Sequence, residues 1–223
     1  MNCCQCQGIE TYFNRKCVAK DLKQYRKEGP AKTTRMLIDA LKAEGTKGMT
    51  LLDIGGGVGA IQHELLRAGA SRAINVEASK AYIEAAKEEA ERQGHADRVS
   101  CHHGNFVDLA PDIPQADIVT LDRVICCYHD MQALVALSSV LARRFYGVVY
   151  PRDTWWVKIE WAFSNFVYWI RHSSFRVFVH PTKAVDTVVR GNGLERRFYR
   201  ESGPWQVVVY GRAENIKNRS KNR

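Results

Sequence analysis

No uninterrupted apolar run among the 223 residues is long enough to span a bilayer, which takes about 20 residues. The chain does not open on the basic, apolar, small-residue order of a secretory signal, so cytoplasmic residence is the expectation. No segment repeats at a fixed period and no low-complexity block occurs, which excludes solenoids and leaves one domain with appendages. No lysine followed by Ser or Thr closes a glycine-rich loop, which excludes a phosphate-gripping P-loop. The composition, 45% apolar and 26% charged, is ordinary for a soluble globule, and the length suits one large α/β domain.

What is present is concentrated at residues 50–59, TLLDIGGGVG. Leu51, Leu52 and Ile54 flank Asp53, and glycine follows at Gly55, Gly56, Gly57 and Gly59. A short apolar run ended at once by glycines predicts a buried parallel strand and a tight turn. Glycine there opens the dihedrals and lets a ligand approach with no Cβ in the way. Residues 60–68 have helical spacing, so the turn delivers that ligand to a helix N-terminus. A dinucleotide fold wants G-x-G-x-x-G, whereas the order here is G-x-G-x-G, preceded at two residues by an acid. This D-x-G-x-G-x-G pattern resembles motif I of class I S-adenosylmethionine-dependent methyltransferases. The resemblance implies S-adenosylmethionine as cofactor, held at Asp53, Gly55, Gly56, Gly57 and Gly59.

Residues 72–77 read as the next strand, and Glu77 ends it 18 positions after Gly59. An acid about 20 residues past the glycines sits at the neighbouring strand tip and can accept both ribose hydroxyls; Ala78 adjoins it. Residues 79–93 read as a helix with Ala81, Ala85, Ala86 and Ala90 on one side, ended by Gly94. A strand over 98–103 leads to Gly104-Asn105-Phe106. The resembling family has an acid near the adenine amino group at the Asn105 position; an amide oxygen accepts the same hydrogen bond. Phe106 either covers the adenine or packs in the core. Strand four, 116–121, ends at Asp122, where open α/β sheets place ligands.

Strand five covers 145–150, and residues 175–180 lead into Pro181-Thr182, with Thr182 capping a helix through 189. Residues 195–199 and 206–210 form a hairpin around Gly203-Pro204. The expected fold is α/β: a Rossmann-like class I methyltransferase fold with a mostly parallel seven-stranded sheet, its last strand antiparallel, and helices on both faces. The expected division is a helical arm or lid at 1–45, the methyltransferase domain at 46–212 and a basic disordered tail at 213–223.

Two segments are candidate lids. The arm at 9–43 has helical character, with Met36, Leu37 and Leu41 on one face, and either folds over the cofactor or covers the sheet. The helix at 155–170 carries Trp155, Trp156, Trp161, Phe163, Phe166, Tyr168 and Trp169. So aromatic a helix is expected to bury several sides, roofing a flat substrate, meeting a membrane interface, forming a dimer seam or packing in the core. The net charge of +9 comes without a nucleic-acid reading module. An anionic small substrate or an acidic membrane surface accounts for it equally well. Cys3, Cys4, Cys6 and Cys17 form C-C-x-C-x10-C with no His in the segment. Structural zinc takes more regular pairs, so no metal site is expected. Cys126 and Cys127 are adjacent and count as small apolar residues.

A narrower resemblance rests on Tyr12-Phe13-Asn14, Tyr25, the DRVICCY run at 122–128 and the VFVH run at 177–180. From about residue 9 to 212 the chain is similar to the magnesium-protoporphyrin IX O-methyltransferase family. That family esterifies a propionate of a metalloporphyrin, which implies a planar, anionic small-molecule acceptor. Its arm tyrosine maps onto Tyr25, and its I-H-Y histidine falls on Cys127, followed here by Tyr128 and His129. Tyr25, Tyr128 and His129 are therefore the catalytic expectations. Methyl transfer is an in-line displacement in which positioning alone supplies about 7–11 kcal/mol at best. An ionised carboxylate needs no base; a phenol, amine or thiol does, and His129 or Asp122 is placed to serve. Two alternatives stay open. One is an RNA or protein methyltransferase, although D-R-V-I stands where amino-group methylation wants N/D-P-P-Y/F. The other is a non-catalytic S-adenosylmethionine-binding module.

Overall fold

Leu51 and Leu52 are adjacent in sequence and both fully buried, because side chains alternate across a strand and this strand is covered on both faces. Leu52 packs with Ile54, Val119, Leu121 and Tyr146 on one side, and Leu51 with Leu37, Leu41, Leu65 and Ile118 on the other. They belong to β1 (Thr50–Ile54), the central strand of the computed structural model, which describes residues 4–212. The basic tail at 213–223 and the Cys3, Cys4 and Cys6 thiols lie outside what it describes.

Seven strands form one sheet in the order β3-β2-β1-β4-β5-β7-β6. They are β1, β2 (Arg72–Glu77), β3 (Val99–His103), β4 (Ala116–Asp122), β5 (Ala142–Pro151), β6 (Leu194–Ser202) and β7 (Trp205–Arg212). β3 through β5 pair in parallel, and β7 runs antiparallel to both β5 and β6. This is the fold expected, with the last strand inserted against the rest. The chain winds outward from β1 through β2 to β3, then returns to β4 on the other side. The carboxyl ends of β1 and β4 therefore flank a topological switch point, where open α/β sheets bind ligands.

Nine helices surround the sheet among the described residues: α1 (Cys4–Tyr12), α2 (Arg15–Glu28), α3 (Lys32–Ala43), α4 (Ala60–Arg67), α5 (Lys80–Arg92), α6 (Phe106–Leu109), α7 (Met131–Val140), α8 (Trp155–Ile170) and α9 (Thr182–Gly191). The arm divides by role. In α3, Leu37, Ile38 and Leu41 are buried against β5 and β7, so this helix is core. α2, capped by the Asn14 side chain on Lys16 N at 3.0 Å, extends over the strand ends.

Two local expectations are corrected. Thr182 does not cap α9: Pro181 holds that position, and the Thr182 hydroxyl accepts from Gln206 Nε2 at 2.8 Å. The helix at 155–170 does not bury several sides; Val157 is its one buried residue, and Trp155, Phe163 and Trp169 are 75%, 67% and 64% exposed. α8 stands at the edge of the fold, with one stripe facing the chain. There Trp161 meets Trp205 edge-on at 5.6 Å, and the Tyr168 hydroxyl donates to that of Tyr12 at 3.1 Å. The irregular segment at 175–180 ties α8 down. Val177 N donates to Asn165 Oδ1 at 2.9 Å, and Phe178 N donates to Cys126 O at 2.7 Å.

Gly147 marks where α3 meets the sheet: a Cβ there would stand 2.7 Å from Leu37 Cδ1. Gly147→Val should displace α3 and cost about 1–3 kcal/mol by overpacking, measured by urea unfolding. Wild-type stability in that variant would mean α3 is not seated on β5.

Candidate active site

A cavity of about 580 Å³ opens at the switch point, between the carboxyl ends of β1, β2 and β4 on one side and α1, α2 and α8 on the other. At its floor, the glycines of the first loop answer to two constraints. Gly56 has no room: a Cβ would fall 2.4 Å from Gln62 Nε2 and 2.7 Å from Asp53 Oδ2. Gly57 has φ of 54° and open space toward Tyr82, so it is required by its left-handed backbone and leaves the cavity clear. Gly59 is left-handed too, at φ 84°, and caps α4 outside the cavity lining.

Asp53 lies beneath this loop. Its Oδ1 accepts from the Thr120 hydroxyl at 2.6 Å and its Oδ2 from Gln62 Nε2 at 3.1 Å. Burial pushes its pKa up to about 7 against those two hydrogen bonds, and the Asp122 and Glu77 charges add to the rise. Asp53 thus braces the loop from inside, while Glu77 meets it at the surface of the cavity. Glu77 Oε2 accepts from Gly57 N at 3.2 Å, and Oε1 accepts from Ser79 N at 2.9 Å. Burial raises the Glu77 pKa, opposed by these backbone donors. Each carboxylate oxygen keeps a lone pair for a ribose hydroxyl.

The remaining cofactor expectations divide. Gly55, Gly56, Gly57, Ala78, Asn105, Phe106 and Asp122 all line the same cavity as Asp53 and Glu77. Asn105 is also the cap of α6, its Oδ1 accepting from Val107 N at 3.4 Å. Phe106 is buried with Ile54 and Val76, so it is core with one edge on the cavity. Asp122 is held by the Thr34 hydroxyl at 2.5 Å and by Arg123 Nε at 3.2 Å.

The catalytic expectations fare differently. Tyr25 lines the cavity, but its hydroxyl accepts from Arg67 and Gln93 on the α4 and α5 side, and its ring stacks on His63. Tyr128 lines the cavity as expected from its position after β4. His129 does not: it is exposed and edge-on to Phe178, because the chain turns there into Asp130, the cap of α7. A base at His129 is therefore not part of this site.

The two candidate lids supply part of the far half of the cavity, through Tyr12, Trp161 and Tyr168, whereas Phe175, Trp205 and Arg123 had not been singled out. Tyr12, Trp161, Tyr168, Phe175 and Trp205 wall it, and Arg123 is the one cation among the described lining residues. Arg123 lies over the Trp205 ring at 5.8 Å, donates to Thr34 Oγ1 at 3.1 Å, and has φ of 60°, unusual for a residue with a side chain. Its position just after the strand-four carboxylate was a usable signal. Trp205 lies in the hairpin and had none. Among the described residues no group of three or more His, Cys, Asp or Glu is placed to hold a metal ion. The Cys126 and Cys127 sulfurs lie 3.8 Å apart, unbridged.

Comparison with known proteins agrees with this geometry. Residues 51–144 match the methyltransferase domain family. The ribosomal protein L11 methyltransferase of Aeromonas hydrophila is 29% identical over 146 residues, covering 60% of this chain and 50% of that protein. The chain thus spans about half the length of that curated relative. The crystal structure of magnesium protoporphyrin IX methyltransferase from Synechocystis PCC 6803 with bound S-adenosylhomocysteine superposes with a TM-score of 0.73 at 16% identity, covering 94% of this chain and all of that one. An O-methyltransferase family protein from Burkholderia thailandensis superposes at 0.65 with 18% identity, covering 82% of this chain and 57% of that one.

Two outcomes test the cofactor end. Glu77→Gln removes the charge and turns an amide donor toward backbone N–H groups, so S-adenosylmethionine and its homocysteine product should both bind about 1.5–3 kcal/mol more weakly by calorimetry. Equal affinity would remove Glu77 from the ribose site. Asp53 tests the brace. Its folded pKa of about 7 exceeds the ordinary 3.8, so the folded state holds that proton more tightly. The contribution is present at low pH and is lost as pH rises toward 7, at about 1.4 kcal/mol for each pH unit crossed. In Asp53→Asn this slope should vanish from urea-unfolding free energies of the cofactor-free protein. Parallel wild-type and variant profiles would show that Asp53 does not titrate there.

Proposed function

We propose that this chain, whose methyltransferase domain has the class I S-adenosylmethionine-dependent fold, transfers the sulfonium methyl to a carboxylate of a flat aromatic small molecule. The S–CH₃ bond breaks as the O–CH₃ bond forms, leaving S-adenosylhomocysteine and a methyl ester. The observation that carries this reading is the far half of the cavity, where a wall of rings meets Arg123, the one cation among the described lining residues. Flat apolar bodies stack on such walls, and a guanidinium grips a carboxylate in two hydrogen bonds. A volume near 580 Å³ lies within the usual range for small-molecule sites. An ionised carboxylate needs no general base, which suits a cavity that His129 does not enter. Burial and the neighbouring Tyr12 hydroxyl raise the Tyr168 pKa, so its phenol stays protonated as a donor. A metalloporphyrin with free propionates is the member of this class that the resemblance favours.

A second reading has a protein acceptor, favoured by the 29% identity to a ribosomal protein L11 methyltransferase. One experiment separates them: incubate the chain with methyl-labelled S-adenosylmethionine and either a metabolite extract or ribosomes, then identify the labelled product. Label in a small-molecule ester supports the first reading, and label in a ribosomal protein replaces it with the second. Label in neither would leave a non-catalytic cofactor-binding module.

Arg123→Gln should raise KM for the acid roughly 10–100-fold, the worth of one charged hydrogen-bonded contact. S-adenosylmethionine affinity should stay unchanged. An unaltered KM would mean that Arg123 does not hold the acceptor.

A further inference from the structure

α8 carries an apolar face that no described residue covers. Trp155, Ile159, Phe163, Phe166, Trp169 and Ile170 fall at helical spacing along its whole length, and all are more than half exposed. Such a stripe on a free surface marks an interaction site. The opposite side of the same helix walls the cavity through Trp161, Ser164 and Tyr168. The face therefore sits on the back of the wall that α8 gives the cavity.

The other rim is α2, which lines the cavity through Asp21, Gln24 and Tyr25. Its outer surface is strongly basic. Lys16, Lys20, Lys23 and Lys27 recur at intervals of three and four, which puts them on one face, and all are exposed. Arg15 and Arg26 are engaged by Glu84 and Glu89, and Lys27 by Glu28, whereas Lys16, Lys20 and Lys23 make no ion pair among the described residues. Tyr12 and Phe13 bridge the two rims by packing on Tyr168 and Phe175. Exposed Arg171 and His172 follow α8 directly.

We propose that α8 lies in the headgroup region of an anionic lipid bilayer, its aromatic face inserted and the α2 lysine row against the lipid charge. The chemistry selects this occupant. Tryptophans toward both ends of an in-plane helix suit the membrane–water boundary, and a lysine row suits acidic headgroups. No helix among the described residues is long and apolar enough to cross a membrane, so the contact is peripheral. An apolar acceptor dissolved in the bilayer would then reach the ring-lined chamber beside α8 without passing through bulk water. This goes beyond the methyl-transfer reading and stands or falls without it, because its readout is lipid binding.

The test is cosedimentation of the purified full chain with phosphatidylcholine vesicles, with and without phosphatidylglycerol. Wild type should pellet with the anionic vesicles and be released by salt. Replacing Trp155, Phe163 and Trp169 together by serine should abolish pelleting, while thermal melting and S-adenosylmethionine affinity hold. Replacing Lys16, Lys20 and Lys23 together by glutamine should weaken anionic binding on the order of a hundredfold. Failure of wild type to pellet with either vesicle would overturn the proposal. So would pelleting of both variants equal to that of wild type, or a wild-type dimer that the serine variant dissociates while lipid is ignored.

Discussion

The cofactor end of the molecule depends on one buried carboxylate. Asp53 joins three elements, one of them distant in sequence: it sits on β1, takes the Gln62 amide from the following α4 and takes the Thr120 hydroxyl from β4. These contacts fix the glycine loop from below, and Gly56 is glycine because that polar cluster leaves no space for a Cβ. A braced loop can present Gly57 N to Glu77 at a constant position. Burying a charge is expensive unless it is paired or protonated, which is why the Asp53 pKa climbs to about 7. The loop is thus held by a group that burial makes costly to ionise. A cationic ligand above the loop would relieve part of that cost.

Charge divides the cavity into two chemistries. Asp53, Glu77 and Asp122 line its strand-end floor, Asp21 and Glu160 line it from α2 and α8, and Arg123 is the one cation among the described lining residues. A sulfonium with an ammonium group suits the acidic half, where ribose hydroxyls also find acceptors in Glu77. A carboxylate does not suit that half, and is held off it except beside Arg123. Arg123 is itself fixed by Asp122 and Thr34 and set over Trp205. Its positive φ is a local strain that such surrounding contacts can hold in place. Arg123 is thus the one described lining group whose charge favours a carboxylate, while the cofactor's cationic groups meet Asp53, Glu77 and Asp122 near the loop.

The parts of this arrangement that were legible in sequence are those set by short-range rules. An apolar run before glycines gives a buried strand and turn, and an acid at the right distance lands on the next strand tip; Asp53 and Glu77 follow from such rules, and the sheet with its antiparallel last strand from the resemblance that those motifs carry. What escaped is set by long-range contact. Trp205 meets Arg123 because β7 inserts antiparallel beside β5, a pairing no local spacing encodes. His129 resembled a site residue by proximity to Tyr128, but one residue of turn before α7 carried it outside. For α8 only the cover supplied by the chain itself was overestimated. Its composition demanded burial, and the fold supplies cover for one stripe alone.

That imbalance places α1 and α2 in a particular relation to α8. The arm and the aromatic helix come from opposite ends of the chain, yet they close over the cavity by rings: Tyr12 stacks on Phe175 at 4.2 Å and meets Tyr168 edge-on at 5.4 Å. Phe13 reaches Tyr82 on α5 at 6.0 Å, and the Tyr82 hydroxyl returns to Asp21 on α2. Ring contacts of this kind are worth about 0.5–1.5 kcal/mol each beyond their burial, less than the core packing that holds α3. α3 thus anchors the arm, and the ring cluster is the cheaper part to open. A ligand that separates Tyr12 from Tyr168 would expose the chamber without disturbing the sheet. The arm is thus held by two unequal sets of contacts, the core packing of α3 and the ring cluster around Tyr12.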